Sequence, residues 1–201
     1  MSAPIDDPRV LAGILYEEAI DRRYQGNVSG ALARFRRCLE LVDELGDRAW
    51  RARIEMEIAD LHHLQHELDD ATRWYERARA TWQSLGDVTG AGRAQVGLGL
   101  VTLLRGDLGQ AGALLATARA DLDAAGDALG RARAELGLGM IAYQSGDREQ
   151  ALCWLLRAHP PLVAHHAPEA PIAGEYLARL RDELPPERLA ALAAEVGVTP
   201  P

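Results

Sequence analysis

Apolar residues recur along most of the chain at steps of three and four, as in Leu98, Val101 and Leu104, and again in Leu108, Leu114, Leu115 and Leu122. That spacing lays an apolar stripe along each of a series of helices. The stripes are interrupted every twenty residues, at Gly26, Gly46, His66, Gly86, Gly106, Gly126 and Gly146. Each interruption is followed by Asn27, Asp47, Glu67, Asp87, Asp107, Asp127 or Asp147. Glycine reaches the left-handed conformation that closes a helix, and Asp or Asn accepts from the orphan amides of the next one. The pattern predicts helices over 8–25, 28–45, 48–65, 68–85, 88–105, 108–125 and 128–145, alternating as antiparallel hairpins. Each has about 17 residues and a length of roughly 26 Å. Asp7 is expected to cap the first, with Pro8 at its first helical position.

The eighth helix starts after Asp147 and is expected to stop early at His159-Pro160-Pro161, since proline removes a donor and clashes with the preceding turn. Residues 160–170 then form an irregular connection, a ninth helix covers 172–183, and Pro185-Pro186 opens a tenth that closes at Gly197. Tyr176, Leu177, Leu180 and Leu184 fall on one face of the ninth, and Leu189, Leu192 and Val196 on one face of the tenth. Both faces need a surface, so 172–196 is expected to dock as a cap over the last hairpin.

The pattern also repeats at a longer period. Sliding residues 86–125 forward by forty sets Gly86-Asp87 on Gly126-Asp127, Gly97-Leu98-Gly99 on Gly137-Leu138-Gly139, and Ala111 and Ala118 on Ala151 and Ala158. Sliding backward recovers Gly46-Asp47, Ala59, Ala71 and Ala78, then Gly26-Asn27, Ala19, Ala31 and Cys38. Self-similarity at this period means stacked supersecondary units. The expected organisation is an all-α solenoid over 8–160, with repeats at about 8–46, 47–86, 87–126 and 127–160. Residues 161–201 supply the connection and capping helices of the same domain.

Composition narrows the class. The chain has 201 residues, 48% hydrophobic and only 5% aromatic, which favours helices packed through small and aliphatic side chains. No apolar run approaches the ~18 residues of a membrane span. The opening MSAPIDDPRV lacks the basic and apolar segments of a signal peptide, so a cytoplasmic protein is expected. The net charge is −8, which disfavours nucleic acid as a partner. All 22 basic residues are arginine, a bias of the kind a high-GC genome produces. Cys38 and Cys153 form no metal or disulfide framework, and Cys38 stands in the column of Ala78, Ala118 and Ala158 as a small packing residue.

These columns resemble the tetratricopeptide repeat (TPR) family. The matching residues are Leu98-Gly99, Gly106-Asp107, Ala111, Leu115 and Ala118, then Leu138-Gly139, Gly146-Asp147, Ala151, Leu155 and Ala158. Ile58-Ala59, Leu68, Ala71, Tyr75 and Ala78 match in the second unit, and Ala19, Gly26, Ala31 and Phe35 in the first. The period is forty rather than the family's usual 34, as in the longer-helix variety of bacterial signalling proteins and kinesin light chains. The resemblance implies a right-handed superhelix whose first helices line a concave surface holding a protein or peptide.

That surface is where candidate chemistry falls. Arg53, Arg93 and Arg133 form one column. Arg53 has Glu57 one turn on and is expected to pair with it, whereas Arg93 and Arg133 have Gly97 and Gly137 there. Both would then point into the groove, where the guanidinium fork suits an acidic side chain or a peptide C-terminus. The bland alternative is a solvated arginine on a repeat edge. The groove floor is expected to comprise Val96, Leu100, Leu103, Leu136, Met140 and Tyr143, with Asp60 and His63 from the preceding unit. Exposed, they would form a binding patch; a tightly closing superhelix or a folded-back cap would bury them. Gly99 and Gly139 occupy the close-packing column, while Gly97 and Gly137 are expected to make room for a ligand.

His62 and His66 have the i, i+4 spacing of metal ligands, but packing explains His62, and His66 stands in the left-handed column. No metal, cofactor or catalytic set is expected. The resulting expectation is a non-catalytic adaptor or scaffold. The alternative is a small-molecule-binding or catalytic protein using the groove as a pocket lined by Gly97, Gly137, Tyr143, His63 and Asp60, with His63 as the acid or base.

Overall fold

The computed structural model describes residues 7–197, which hold ten helices and no strand. The reading of residues 1–6 as lacking a signal segment, and the last four residues of the 161–201 segment, lie outside the described residues. In order the helices are α1 (Pro8–Tyr24), α2 (Val28–Leu45), α3 (Arg48–Leu64), α4 (Leu68–Leu85), α5 (Val88–Leu104), α6 (Leu108–Ala124), α7 (Ala128–Gln144), α8 (Arg148–Ala164), α9 (Ala170–Glu183) and α10 (Pro186–Val196). The first eight thus begin every twenty residues. They sort into two compact units, one up to Val101 and one from Thr102, with the boundary inside α5.

One backbone device makes the turns between the first eight helices. Gly26, Gly46, Gly86, Gly106, Gly126 and Gly146 all have φ between 68° and 85°. The amide after each returns to the carbonyl five residues earlier, as Asp127 N does to Leu122 O at 2.9 Å, a Schellman closure. The next side chain then caps the following helix: Asp47 Oδ1 accepts from Trp50 N at 3.0 Å, Asp87 Oδ1 from Gly90 N at 2.8 Å. Between turns, alanines on facing helices let backbones approach. Ala12, Ala19, Ala52, Ala59, Ala118 and Ala158 are all fully buried. Cys38 behaves as the alanine-column residue it replaces: it is buried, its Sγ donates to Ala12 O at 3.1 Å, and burial pushes its thiol up to about 11.

The structure differs from the sequence expectation at α8. Pro160 and Pro161 lie inside the helix, which runs on to Ala164, so residues 160–164 are helical rather than irregular and the fourth hairpin is complete. The prolines remove two amides, but Pro160 is exposed, while Leu162 and Ala167 are buried in the unit's core with Leu155 and Ala158. Anchoring the last turn in that core outweighs a helix-interior penalty of about 3 kcal/mol per proline. The turn even keeps the twenty-residue rhythm: His166 takes φ 50°, and Ala167 N returns to Leu162 O at 2.9 Å.

Helices α9 and α10 dock on the second unit. Ala173, Leu177, Leu180, Leu189, Leu192 and Ala193 share one buried cluster with Leu152, Leu155 and Leu162. Polar contacts fix their register: Arg188 donates to both oxygens of Glu149 at 2.6 Å, and the rings of Tyr143 and Tyr176 meet edge to face at 5.1 Å.

Two buried acids punctuate the hairpins. Glu55 (1% exposed) accepts from Arg51 Nε at 3.2 Å and Arg77 Nε at 3.1 Å. Arg51 also meets Asp43 at 3.0 Å, and Arg77 lies over Trp74. Eighty residues on, Asp123, Arg131, Glu135, Trp154 and Arg157 stand in the same order, with Arg131 2.9 Å from Asp123 and Arg157 over Trp154. Glu135 is held more loosely, 3.9 Å from Arg119 and 4.0 Å from Arg131, and its burial raises its pKa against the pull of those arginines. The positions between carry Gln83, Ala91, Gln95, Leu114 and Thr117.

Ending the chain after Glu169 would expose the apolar residues that α9 and α10 cover. Burial of some four aliphatic side chains contributes on the order of 6 kcal/mol before ordering costs, so Tm should fall by about 10 °C or more. A calorimetric scan showing the same sharp transition at the same temperature would mean that the two helices do not stabilise the unit.

Candidate partner-binding face

On α3, Arg53, Glu57, Asp60 and His63 follow one another at three- and four-residue steps and so share one face. Tyr16 and Arg23 bring α1 to the same place. Arg23 Nη1 donates to Glu57 Oε2 at 2.6 Å, and Tyr16 Oη reaches Glu57 Oε1 at 3.4 Å. Tyr16 also packs edge to face on Phe35. Its phenol is pushed from 10.0 up to about 12, first by burial and then by the Glu57 carboxylate. Arg53 was expected to pair with Glu57, but Arg23 takes that carboxylate. Arg53 is exposed and makes no ion pair among the described residues.

The neighbouring α4 supplies Tyr75, which is 1% exposed. Its hydroxyl donates to Asp60 Oδ1 at 2.5 Å, and its ring meets His63 edge to face at 6.5 Å. His63 is half-buried, and burial pulls its pKa below the usual imidazole value against the pull of Asp60. Gly97 of α5 completes the cluster in a way that departs from expectation. A Cβ there would lie 2.3 Å from the Tyr75 ring, so the space Gly97 leaves is filled by that ring. Gly139 has the role expected of it, since its Cβ would lie 2.8 Å from Leu155.

The apolar floor is largely covered. Val96, Leu103 and Leu136 are each 4% exposed, Gly137 is buried, and Leu100, Met140 and Tyr143 are half-buried. In the second unit the covering comes from the chain's own C-terminal segment. Arg133 Nε lies 3.0 Å from Glu169 Oε1, so it is not the open guanidinium expected. Tyr143 donates to Glu183 at 2.5 Å, which raises its pKa, and Arg148 stacks on its ring at 4.0 Å. Arg93 is exposed on α5, and it too takes part in interactions with other residues.

The structure therefore gathers Asp60, His63 and Gly97 around Tyr75 in the first unit, and gives Arg133 and Tyr143 partners in the second. Tyr16, Arg23, Glu57 and Tyr75 were not among the candidates. The signal for two of them was present, since Tyr16 and Arg23 stand forty residues before Met56 and His63. Away from these residues, a small cavity of about 110 Å³ is lined by Leu122, Asp123, Gly126, Asp127, Ala128 and Arg131.

No family model matches the chain, and no curated protein matches it. Solved structures do. A Rap protein complexed with Competence and Sporulation Factor is 15% identical, with a TM-score of 0.75 over 94% of this chain and 55% of that one. The Rap conjugation gene regulator of the plasmid pLS20, in complex with the Phr* peptide, is 12% identical, with a TM-score of 0.67 over 95% and 55%. BtubC (BKLC) from P. vanneervenii is 21% identical, with a TM-score of 0.65 over 80% and 66%. The chain spans 55% to 66% of the length of these structures. What they share with it is an all-α fold of helix–turn–helix repeats.

Two measurements check this geometry. Gly97→Ala should destabilise by about 1–3 kcal/mol through overpacking against Tyr75, despite the better helix propensity of alanine. Combined with Tyr75→Leu, the residue type of Leu115 and Leu155, it should cost much less than the sum of the two. A rise in Tm for Gly97→Ala alone would contradict the packing. In a spectrophotometric titration Tyr16 should ionise near its raised value, and Glu57→Gln should bring the midpoint back toward the ordinary 10.0. Because the fold favours the neutral phenol, its stabilising effect is complete below pH ~10 and is lost as pH rises through the folded value. A titration that Glu57→Gln leaves unchanged would show that the two groups are not coupled.

Proposed function

We propose that the protein is a non-catalytic adaptor of the TPR kind, of the long-helix bacterial variety with a forty-residue period, that holds a protein or peptide. We place the contact in the first unit, on the face built by α1, α3 and α5. The observation that carries this reading is Arg53: an exposed guanidinium without an ion pair among the described residues, beside a half-buried network that fixes its surroundings. Glu57 is satisfied by Arg23 and Tyr16, and Asp60 by Tyr75, so the side chains around Arg53 are held in place before a partner arrives. Arginine's planar fork matches a carboxylate, so the partner is one that offers an acidic side chain or a C-terminal carboxylate. The complex of a similar Rap structure with the Phr* peptide supports a peptide-holding role for this fold. The setting is cytoplasmic, with neither nucleic acid nor membrane as partner; no helix among the described residues is long and apolar enough to cross a membrane.

A second reading draws on His63, whose lowered pKa beside Tyr75 and Asp60 suits a base in a small-molecule site. Peptide display against the purified chain separates the two. The adaptor reading expects selected peptides that carry an acidic residue or need their free C-terminus. Their affinity should fall tenfold or more in Arg53→Glu combined with Arg93→Glu, while Arg157→Glu keeps it. Affinities unchanged in the double variant would overturn the placement. Thermal shifts from metabolites that His63→Ala abolishes, with no peptide selected, would favour the small-molecule site instead.

A further inference from the structure

We propose that the turn between α3 and α4 is a binding site for a divalent transition-metal ion of the zinc class, held by His62, Glu67 and Asp70. His62 lies in the last turn of α3, Glu67 stands at the N-cap of α4, and Asp70 lies in its first turn. One donor atom from each lies within 4.8 Å of the others, the only such group among the described residues.

His62 shows the arrangement most plainly. The residue is 4% exposed, yet its Nδ1 points into the cluster and lies 2.5 Å from Glu67 Oε2. Among the described residues its Nε2 has no hydrogen-bond partner, so the hydrogen bond the ring makes there is with that cluster. The turn also departs from its own repeat. Asn27, Asp47, Asp87, Asp107, Asp127 and Asp147 each cap the helix that follows. Glu67 makes no such bond and bends back to His62 instead. The equivalent positions to His62 in the other hairpins are Arg22, Thr102 and Ala142, none of which offers a comparable ligand. His66, although four residues from His62, adopts φ 58°, is exposed and stands outside the group.

The donor set indicates the ion. One imidazole and two carboxylates suit zinc and its neighbours, whereas calcium takes six to eight oxygens and magnesium demands an octahedron of them. A tetrahedral ion bound at about 2.0–2.1 Å spaces its donors roughly 3.3 Å apart. The His62–Glu67 contact must therefore open, which the half-exposed Glu67 does by a side-chain rotation. Asp70 must leave Arg73, an exposed pair of small worth. Water would complete the coordination. Two features limit affinity: the ring proton on Nε2 lacks an acceptor, and the positive end of the α4 dipole faces the ion. A micromolar site that fastens α3 to α4 is therefore expected, weaker than a zinc finger.

The test uses the full chain without an affinity tag, stripped with chelator and titrated with ZnCl2 by calorimetry and thermal shift. One equivalent should bind with micromolar Kd and raise Tm. Glu67→Gln and Asp70→Asn, both at solvent-accessible positions, should each weaken binding tenfold or more, while His66→Ala leaves it unchanged. His62→Ala should abolish binding, but its packing role makes the two acid variants the decisive ones. Absence of saturable binding below millimolar zinc would overturn the site. So would binding that persists in Glu67→Gln and Asp70→Asn, which would place the ion on other histidines.

Discussion

A helix that ends leaves carbonyls without donors, and one that begins leaves amides without acceptors; the whole chain is arranged around meeting that requirement at fixed intervals. A left-handed residue turns two amides back onto the closing helix, and the carboxylate beside it serves the opening one. Because the device recurs every twenty residues, the first eight helices are 17 or 18 residues long and their alanines recur at matching positions. Helix length in turn decides which side chains share a face. Arg53, Glu57, Asp60 and His63 line up because α3 runs uninterrupted between two such turns.

Most of this was legible in the amino-acid sequence, because a turn of this kind is local. Glycine followed by Asp or Asn is a signal read within six residues, and the observed helices agree with it to within a residue or two. The α8 prolines show the limit of local reading. Their penalty is visible in the sequence, but the burial of Leu162 and Ala167 that outweighs it depends on how several helices pack into one core, which local reading does not see. Spacing also misassigned partners at the candidate face. Glu57 lies one turn from Arg53, yet it bonds Arg23, 34 residues away, because α1 brings a better-placed guanidinium. Gly97 posed the same difficulty: a missing side chain shows that something needs space, and only the fold shows that it is Tyr75.

The charged residues of the two units follow different economies. In the second, Glu169 and Glu183 arrive on the capping segment and engage Arg133, Tyr143 and Arg148, so that face is satisfied from within. In the first, Tyr16, Arg23 and Tyr75 answer the acids of α3 while Arg53 stays exposed, without an ion pair among the described residues. In the first unit partial burial strengthens these contacts and holds their side chains in fixed rotamers.

Nearly identical hairpins carry a hazard during assembly: a helix can settle against the wrong copy of its partner, because glycine and alanine columns coincide after a shift of forty. Glu55 makes that error expensive. Docked one repeat out of place, it would meet Thr117 where Arg77 belongs, leaving Arg51 of its own helix as the one arginine to answer a buried carboxylate.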